Sequence, residues 1–159
     1  MNEDDLAHLR RCVALAAAAV EAGDEPFGSV LVSGDGQVLA EDHNRERSTA
    51  DVTAHPELAL ARWASIHLTP TGRAAATVYT SGEHCPMCAA AHGWAGLGRI
   101  VYASSAVQTA RWYAELGVGP SPVAPLRITD VLPGAVVAGP VEELADQVYE
   151  LHRRFRSTH

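Results

Sequence analysis

Three consecutive segments near the middle of the chain restrict its architecture most. "ATVYTS" reads as a short buried strand, "CPMCAAAHGWAG" as a helix with Pro86 in its first turn, and "RIVYAS" as a second buried strand. The pattern repeats on either side. Leu6, Leu9, Val13 and Val20 follow a helical stripe over the first twenty or so residues. "PFGSVLVSGDGQVLAED" reads as a hairpin closed by a Gly-Asp-Gly turn. A polar loop, "HNRERSTADVT", leads to the helix "AHPELALARWASIHL", whose Pro56 fits the first turn, where backbone N–H groups have no intrahelical partner.

Beyond "RIVYAS" the pattern predicts a helix over "SAVQTARWYAEL", a Gly/Pro-rich connection, a strand-like "LRITDVL" and a final helix. In that last helix Val141, Leu144, Val148, Leu151 and Phe155 recur at alternating steps of three and four. Helices alternating with short apolar strands imply an α/β sandwich, with helices on both faces of one sheet. At 159 residues and 47% hydrophobic composition, the chain reads as one domain over 1–159.

Charge and cysteine usage remove several function classes. Twelve basic against nineteen acidic residues give a formal net charge of −7, which lacks the positive field that collects proteins on phosphate backbones. Nucleic acid is therefore disfavoured as a partner. The run "CVALAAAAV" is too short to span a membrane, and Glu3, Asp4 and Asp5 precede it where a signal peptide carries positive charge. A cytoplasmic protein without a membrane partner is expected. Three cysteines, an odd number with one in an apolar run, do not make a disulfide framework.

Cys85 and Cys88 form a C-x-x-C pair at a helix start, and the pair by itself admits three readings. A redox pair also sits at a helix N-terminus, where the dipole lowers a thiol pKa. A closed structural zinc site needs four protein ligands, and the chain has no second Cys pair. His92, four residues after Cys88, could complete a local three-ligand clip. The third reading comes from "TAHPELA" upstream. His55 and Glu57, with Cys85 and Cys88, give H-x-E followed by C-x-x-C, the layout of zinc deaminases.

On these residues the sequence resembles the cytidine/deoxycytidylate deaminase superfamily, and within it the branch of guanine deaminases and tRNA adenosine deaminases. The resemblance runs from about Pro26 to "RIVYAS"; "PFGSVLV" looks like the family's first strand and "YTSGEHCPMC" like the guanine deaminase version of the second motif. It implies a three-layer α/β/α fold with a mixed five-stranded sheet. It also implies one Zn²⁺ per chain held by His55, Cys85 and Cys88, with Glu57 as the catalytic proton shuttle. The chemistry is consistent: two thiolates and an imidazole fill three tetrahedral positions and leave the fourth for water. Residues two apart do not share a helix face, so Glu57 suits reaching over the metal's water better than binding the metal.

For substrate binding the resemblance nominates Phe27 as a base-stacking wall, Asn44 as a contact to the base edge, Trp94 as a pocket-lining aromatic and Glu115 as a second acid. Two departures from the family pattern stand out: Pro56 is the H-x-E spacer where Ala is usual, and His84 replaces the Pro before the first Cys. A titratable His84 in the pocket would point to a cytosine-like or triazine-like ring in place of guanine. The expected activity is thus hydrolytic deamination of a small nucleobase-type heterocycle, with tRNA adenosine or a nucleoside as alternatives. A non-catalytic zinc module is the competing class. The resemblance further implies a homodimer, with the metal-bearing helices near the interface.

Overall fold

The computed structural model describes residues 1–159. Its sheet is built around two strands buried on both faces, β1 (Gly28–Val32) and β3 (Thr77–Gly82). Outside them lie β2 (Val38–His43) on one side, and β4 (Ile100–Ser104) and the two-residue β5 (Val137–Ala138) on the other. The order is β2-β1-β3-β4-β5. β1 runs antiparallel to both β2 and β3, whereas β3, β4 and β5 are mutually parallel, which makes the sheet mixed.

Successive strand residues face opposite ways, and each set meets its own helical layer. On one face Val30, Val32, Tyr79, Val101 and Ala103 pack with Leu9, Cys12 and Ala16 of α1 (Glu3–Glu21), with Trp112 of α6 (Ala106–Glu115), and with Leu144, Val148 and Leu151 of α8 (Glu142–Thr158). On the other face Leu31 and Val78 pack with Leu60, Ala61 and Ala64 of α3 (Pro56–His67) and with Ala95 at the end of α5 (Pro86–Ala95). Burying a side chain such as Leu60 or Leu31 stabilises the fold by about 2 kcal/mol. Gly28 lets α1 approach β1 closely, since a Cβ there would lie 2.5 Å from the Cys12 carbonyl oxygen.

The predicted helices and hairpin are present, and so is the three-layer mixed sheet. Three features differ from the pattern reading. The polar loop holds a single helical turn, α2 (Glu46–Thr49), and α4 (Pro70–Ala75) follows α3, its Thr69 side chain accepting the Gly72 N–H. "LRITDVL" is not the fifth strand: Ile128–Val131 forms a short helix, α7. Asp130 accepts the Arg127 N–H and Glu83 the Ile128 N–H, so the free N–H groups at its start are met by carboxylates. The fifth strand is instead β5, which pairs with Ile100 and Val101. No helix is long and apolar enough to cross a membrane.

Candidate active site

Two helices begin with a residue that can ligate metal. His55 is the N-cap of α3 and Cys85 the N-cap of α5, each followed by Pro at the first helical position. N-caps usually turn their side chain back onto the helix N–H groups. Neither does so here, which leaves the imidazole and the thiol free to meet each other and Cys88. His55 Nδ1 lies 3.5 Å from Cys85 Sγ and 3.6 Å from Cys88 Sγ, and the three ligand atoms lie within 4.8 Å of one another. Tetrahedral zinc with ordinary Zn–S and Zn–N bonds puts its nitrogen and sulfur ligands about 3.5 Å apart. The donor set and its spacing therefore fit zinc.

The side chains already share charge among themselves. Hydrogen bonds from Cys88 and His55 hold the Cys85 thiol down at about 4, against its burial. The same contact with Cys85, together with burial, keeps the proton on Cys88. The hydrogen bond to Cys85 raises His55 to about 9. The helix N-terminal dipole favours a thiolate at this position.

Glu57 is buried beside this group. Ser29 Oγ and Thr80 Oγ1 each donate to its Oε1 at 2.9 Å. Those two hydroxyls come from partner positions of β1 and β3 and lie 2.9 Å apart. Desolvation raises the Glu57 carboxyl pKa, with Cys85 adding to the effect and His55 opposing it. A carboxyl raised in this way takes up a proton more readily than a surface Glu does.

Of the other nominated residues, two lie against each other, and Asn44 is linked toward His55 through Glu46. Asn44 is buried, its N–H donating to the Phe27 carbonyl at 2.9 Å. The half-buried Phe27 ring lies over Gly82, where a Cβ would come within 3.1 Å of it, and edge-on to His152 at 5.2 Å. Three nominated residues are elsewhere. His84 is 2% exposed, its ring packed edge-on against His92 of α5 at 5.5 Å, and burial lowers the pKa of both. The expected titratable pocket contact is not made, and the argument from His84 toward triazine-like rings loses its observation. Trp94 is 90% exposed on α5 and lines a shallow outer groove with Ala61 and Ala91, a groove whose lining includes none of His55, Glu57, Cys85 or Cys88. Glu115 sits at the exposed end of α6, 3.8 Å from Arg111 on the same helix.

His92 does not complete a local metal clip: the ligand atoms that come together are those of His55, Cys85 and Cys88, while His92 Nε2 donates to the Gly98 carbonyl at 2.7 Å. Glu83, next to the motif, bridges two helix starts through the Ala106 and Ile128 N–H groups and is structural. The sequence reading missed Ser29 and Thr80. Nothing local marks them: Ser29 is the one hydroxyl of β1, but β3 carries Thr77 and Ser81 besides Thr80.

Three donors from two helix starts, with a buried carboxylate beside them, define an α/β/α protein with an open metal site, the arrangement used where a metal does chemistry. Residues 2–104 match the cytidine and deoxycytidylate deaminase zinc-binding region, and the chain belongs to that family. It is similar to the tRNA-specific adenosine deaminase of Agrobacterium fabrum, 42% identical over 55% of this chain and 57% of that protein. It is also similar to the guanine deaminase of Bacillus subtilis, 40% identical over 60% of this chain and 62% of that protein. The matched segment thus spans a little under two thirds of these relatives. A solved tRNA:A34 deaminase structure superposes with a TM-score of 0.63 at 28% identity, covering 92% of this chain and 99% of that one.

Proposed function

We propose that this chain is a zinc-dependent aminohydrolase that replaces an exocyclic amine of a free nucleobase-type ring by an oxo group and releases ammonia. The observation that carries the reading is the buried Glu57 standing beside the His55–Cys85–Cys88 group. A structural zinc site has no use for a carboxyl in that position. Zinc held by these three residues supplies a water made nucleophilic at neutral pH. Glu57 would take one proton from that water and give it to the ring nitrogen as the C–O bond forms. It would then take the second from the new hydroxyl and give it to the amine as the C–N bond breaks, leaving an oxo group and ammonia. Asn44 and Phe27 are the residues assigned to orient the base, Phe27 by stacking and Asn44 through its amide. A cytoplasmic location belongs to the same reading.

A free base is favoured over tRNA by the state of the carboxyl-terminal arginines. Arg153 pairs with Glu150, Arg154 with Glu21 and Arg156 with Glu25, so each is matched by a carboxylate of this chain. Phosphate binding would have to displace those partners. Among bases, a guanine-like or cytosine-like ring is the expected class.

A homodimer is part of the proposal. Trp94 of α5, 90% exposed, lines a shallow groove of about 210 Å³ with Ala61, Arg62 and Ala91, and Ile66 of α3 is 76% exposed. Trp94→Glu should convert a dimer to a monomer by light scattering, and an unchanged dimer would place the interface elsewhere.

The deciding experiment measures ammonia release from the zinc-loaded chain across guanine, adenine, cytosine and their nucleosides, with Glu57→Gln as control. Release from one ring class, lost in the control, establishes the activity and its substrate class together. Silence across the panel with zinc bound transfers the weight to an RNA-linked base, or to a non-catalytic zinc module in which Glu57→Gln changes nothing.

A further inference from the structure

One side chain outside the H-x-E and C-x-x-C motifs stands between the metal-ligand group and the buried Asn44. Glu46, the first residue of α2, places its Oε2 2.6 Å from Asn44 Nδ2 and 3.7 Å from His55 Nε2. Its own N–H donates to Asn44 Oδ1 at 3.0 Å, so the amide is gripped at both ends by one residue. The segment carrying it is fixed in turn. The buried Asp24 accepts the N–H groups of Arg47 and Ser48, and the Arg45 N–H donates to the carbonyl of Ala54, next to His55.

The imidazole geometry gives this placement its meaning. His55 turns Nδ1 toward both sulfurs, so a metal shared with them binds Nδ1 and the ring proton resides on Nε2. Nε2 faces the Glu46 carboxylate. A carboxylate at the second nitrogen of a ligating histidine fixes its tautomer and orientation and makes it a better donor.

We infer that Glu46 is a positioning residue that orients His55 for zinc and clamps the Asn44 amide, so that one carboxylate couples metal capture to recognition of the base. The inference rests on the zinc aminohydrolase reading. Its test, however, is read first through metal affinity, which does not depend on knowing the substrate.

The full chain, stripped of metal, is titrated with zinc against a chromophoric chelator for the wild type, Glu46→Ala and Glu46→Gln. Kinetics on the base that the wild type deaminates follow at saturating zinc. Glu46→Ala should weaken zinc about 10- to 100-fold. Glu46→Gln should weaken it less, because its amide oxygen still presents partial negative charge to the His55 Nε2–H. KM should rise several-fold in Glu46→Ala while kcat stays within about threefold, the mark of lost ground-state binding at Asn44. The metal-free melting temperature should move by no more than about 2 °C.

Zinc affinity within about threefold of wild type in both variants overturns the inference. So does a loss of affinity matched by an equal loss of metal-free stability, which would make Glu46 only a loop anchor. A wild type that takes up no zinc fails at the earlier step and removes the aminohydrolase reading itself.

Discussion

Two buried carboxylates hang from neighbouring residues of one strand and have been given opposite characters. Tyr79 and Thr80 follow each other on β3, so their side chains leave by opposite faces of the sheet. On the α1 side the Tyr79 hydroxyl donates to Asp5 at 2.7 Å, and Arg99 adds two further hydrogen bonds to the same carboxylate. On the α3 side Thr80 and Ser29 donate to Glu57, with no arginine at hand. The guanidinium beside Asp5 holds its carboxyl well below the usual range, while burial pushes Glu57 up. Hydroxyl donors support both, a phenol at Asp5 and two aliphatic hydroxyls at Glu57, yet one carboxyl is a charged strut and the other a protonatable group. In the metal-free chain the difference lies in the arginine that hydrogen-bonds Asp5 and has no counterpart at Glu57.

The comparison breaks most visibly at Glu57. Glu57→Gln should lower turnover about 10³-fold while zinc stays bound, as measured by ammonia release and metal analysis on the same sample. Its metal-free melting temperature should stay level or rise, because the substitution removes a carboxyl whose ionised form is disfavoured by burial. A fall in stability would mean that Glu57 is a strut like Asp5.

Asp5 should fail in the reverse sense. Asp5→Asn should cost about 3 kcal/mol in denaturant unfolding, since it leaves the Arg99 charge against a buried neutral partner, with turnover unchanged in the cold. The pH dependence has a definite sign. A carboxyl depressed by folding contributes stability above its unfolded pKa, near 3.9, and loses it as the pH falls toward the folded value. The gap between wild type and Asp5→Asn should therefore begin to narrow as the pH falls below about 4 and keep narrowing well below about 3, since the folded carboxyl titrates far below the unfolded one. A gap independent of pH would show that the Asp5 charge is not the source.

The smallest effect belongs to the hydroxyl pair. Ser29→Ala or Thr80→Val should each lower kcat about 5- to 10-fold with KM little changed, the loss of one hydrogen bond that aims Glu57. Unchanged kcat in both would show that Glu57 is aimed by packing alone.

What could be read from the chain beforehand follows the same division. The ligand set was legible because its spacing is local: a Pro-led helix start fixes where His55 and Cys85 sit, and Cys88 follows one turn later. Ser29 and Thr80 were not legible, since they meet Glu57 only when strands from distant parts of the chain come together, and Glu46 was not legible because only the folding of its own loop turns it toward Asn44 and His55. Trp94 and Glu115 show the converse limit. Each stands on a helix of the expected kind, but helix rotation decides which way a side chain faces, and both face outward. "LRITDVL" misled for a related reason. Its alternating pattern suits a strand, whereas the Glu83 carboxylate waiting at Ile128 nucleates a helical turn there.

The pairing of Ser29 with Thr80 across β1 and β3 also carries a consequence for assembly. A slip of β3 by one position would exchange the faces of Tyr79 and Thr80, turning a phenol toward the zinc ligands and a small hydroxyl toward Asp5. Both carboxylates would lose their partners in the same error. During refolding, high-affinity zinc uptake should accordingly lag the formation of helices α3 and α5 and keep time with the joining of these two strands. The metal then serves as a reporter of correct register in the nascent sheet.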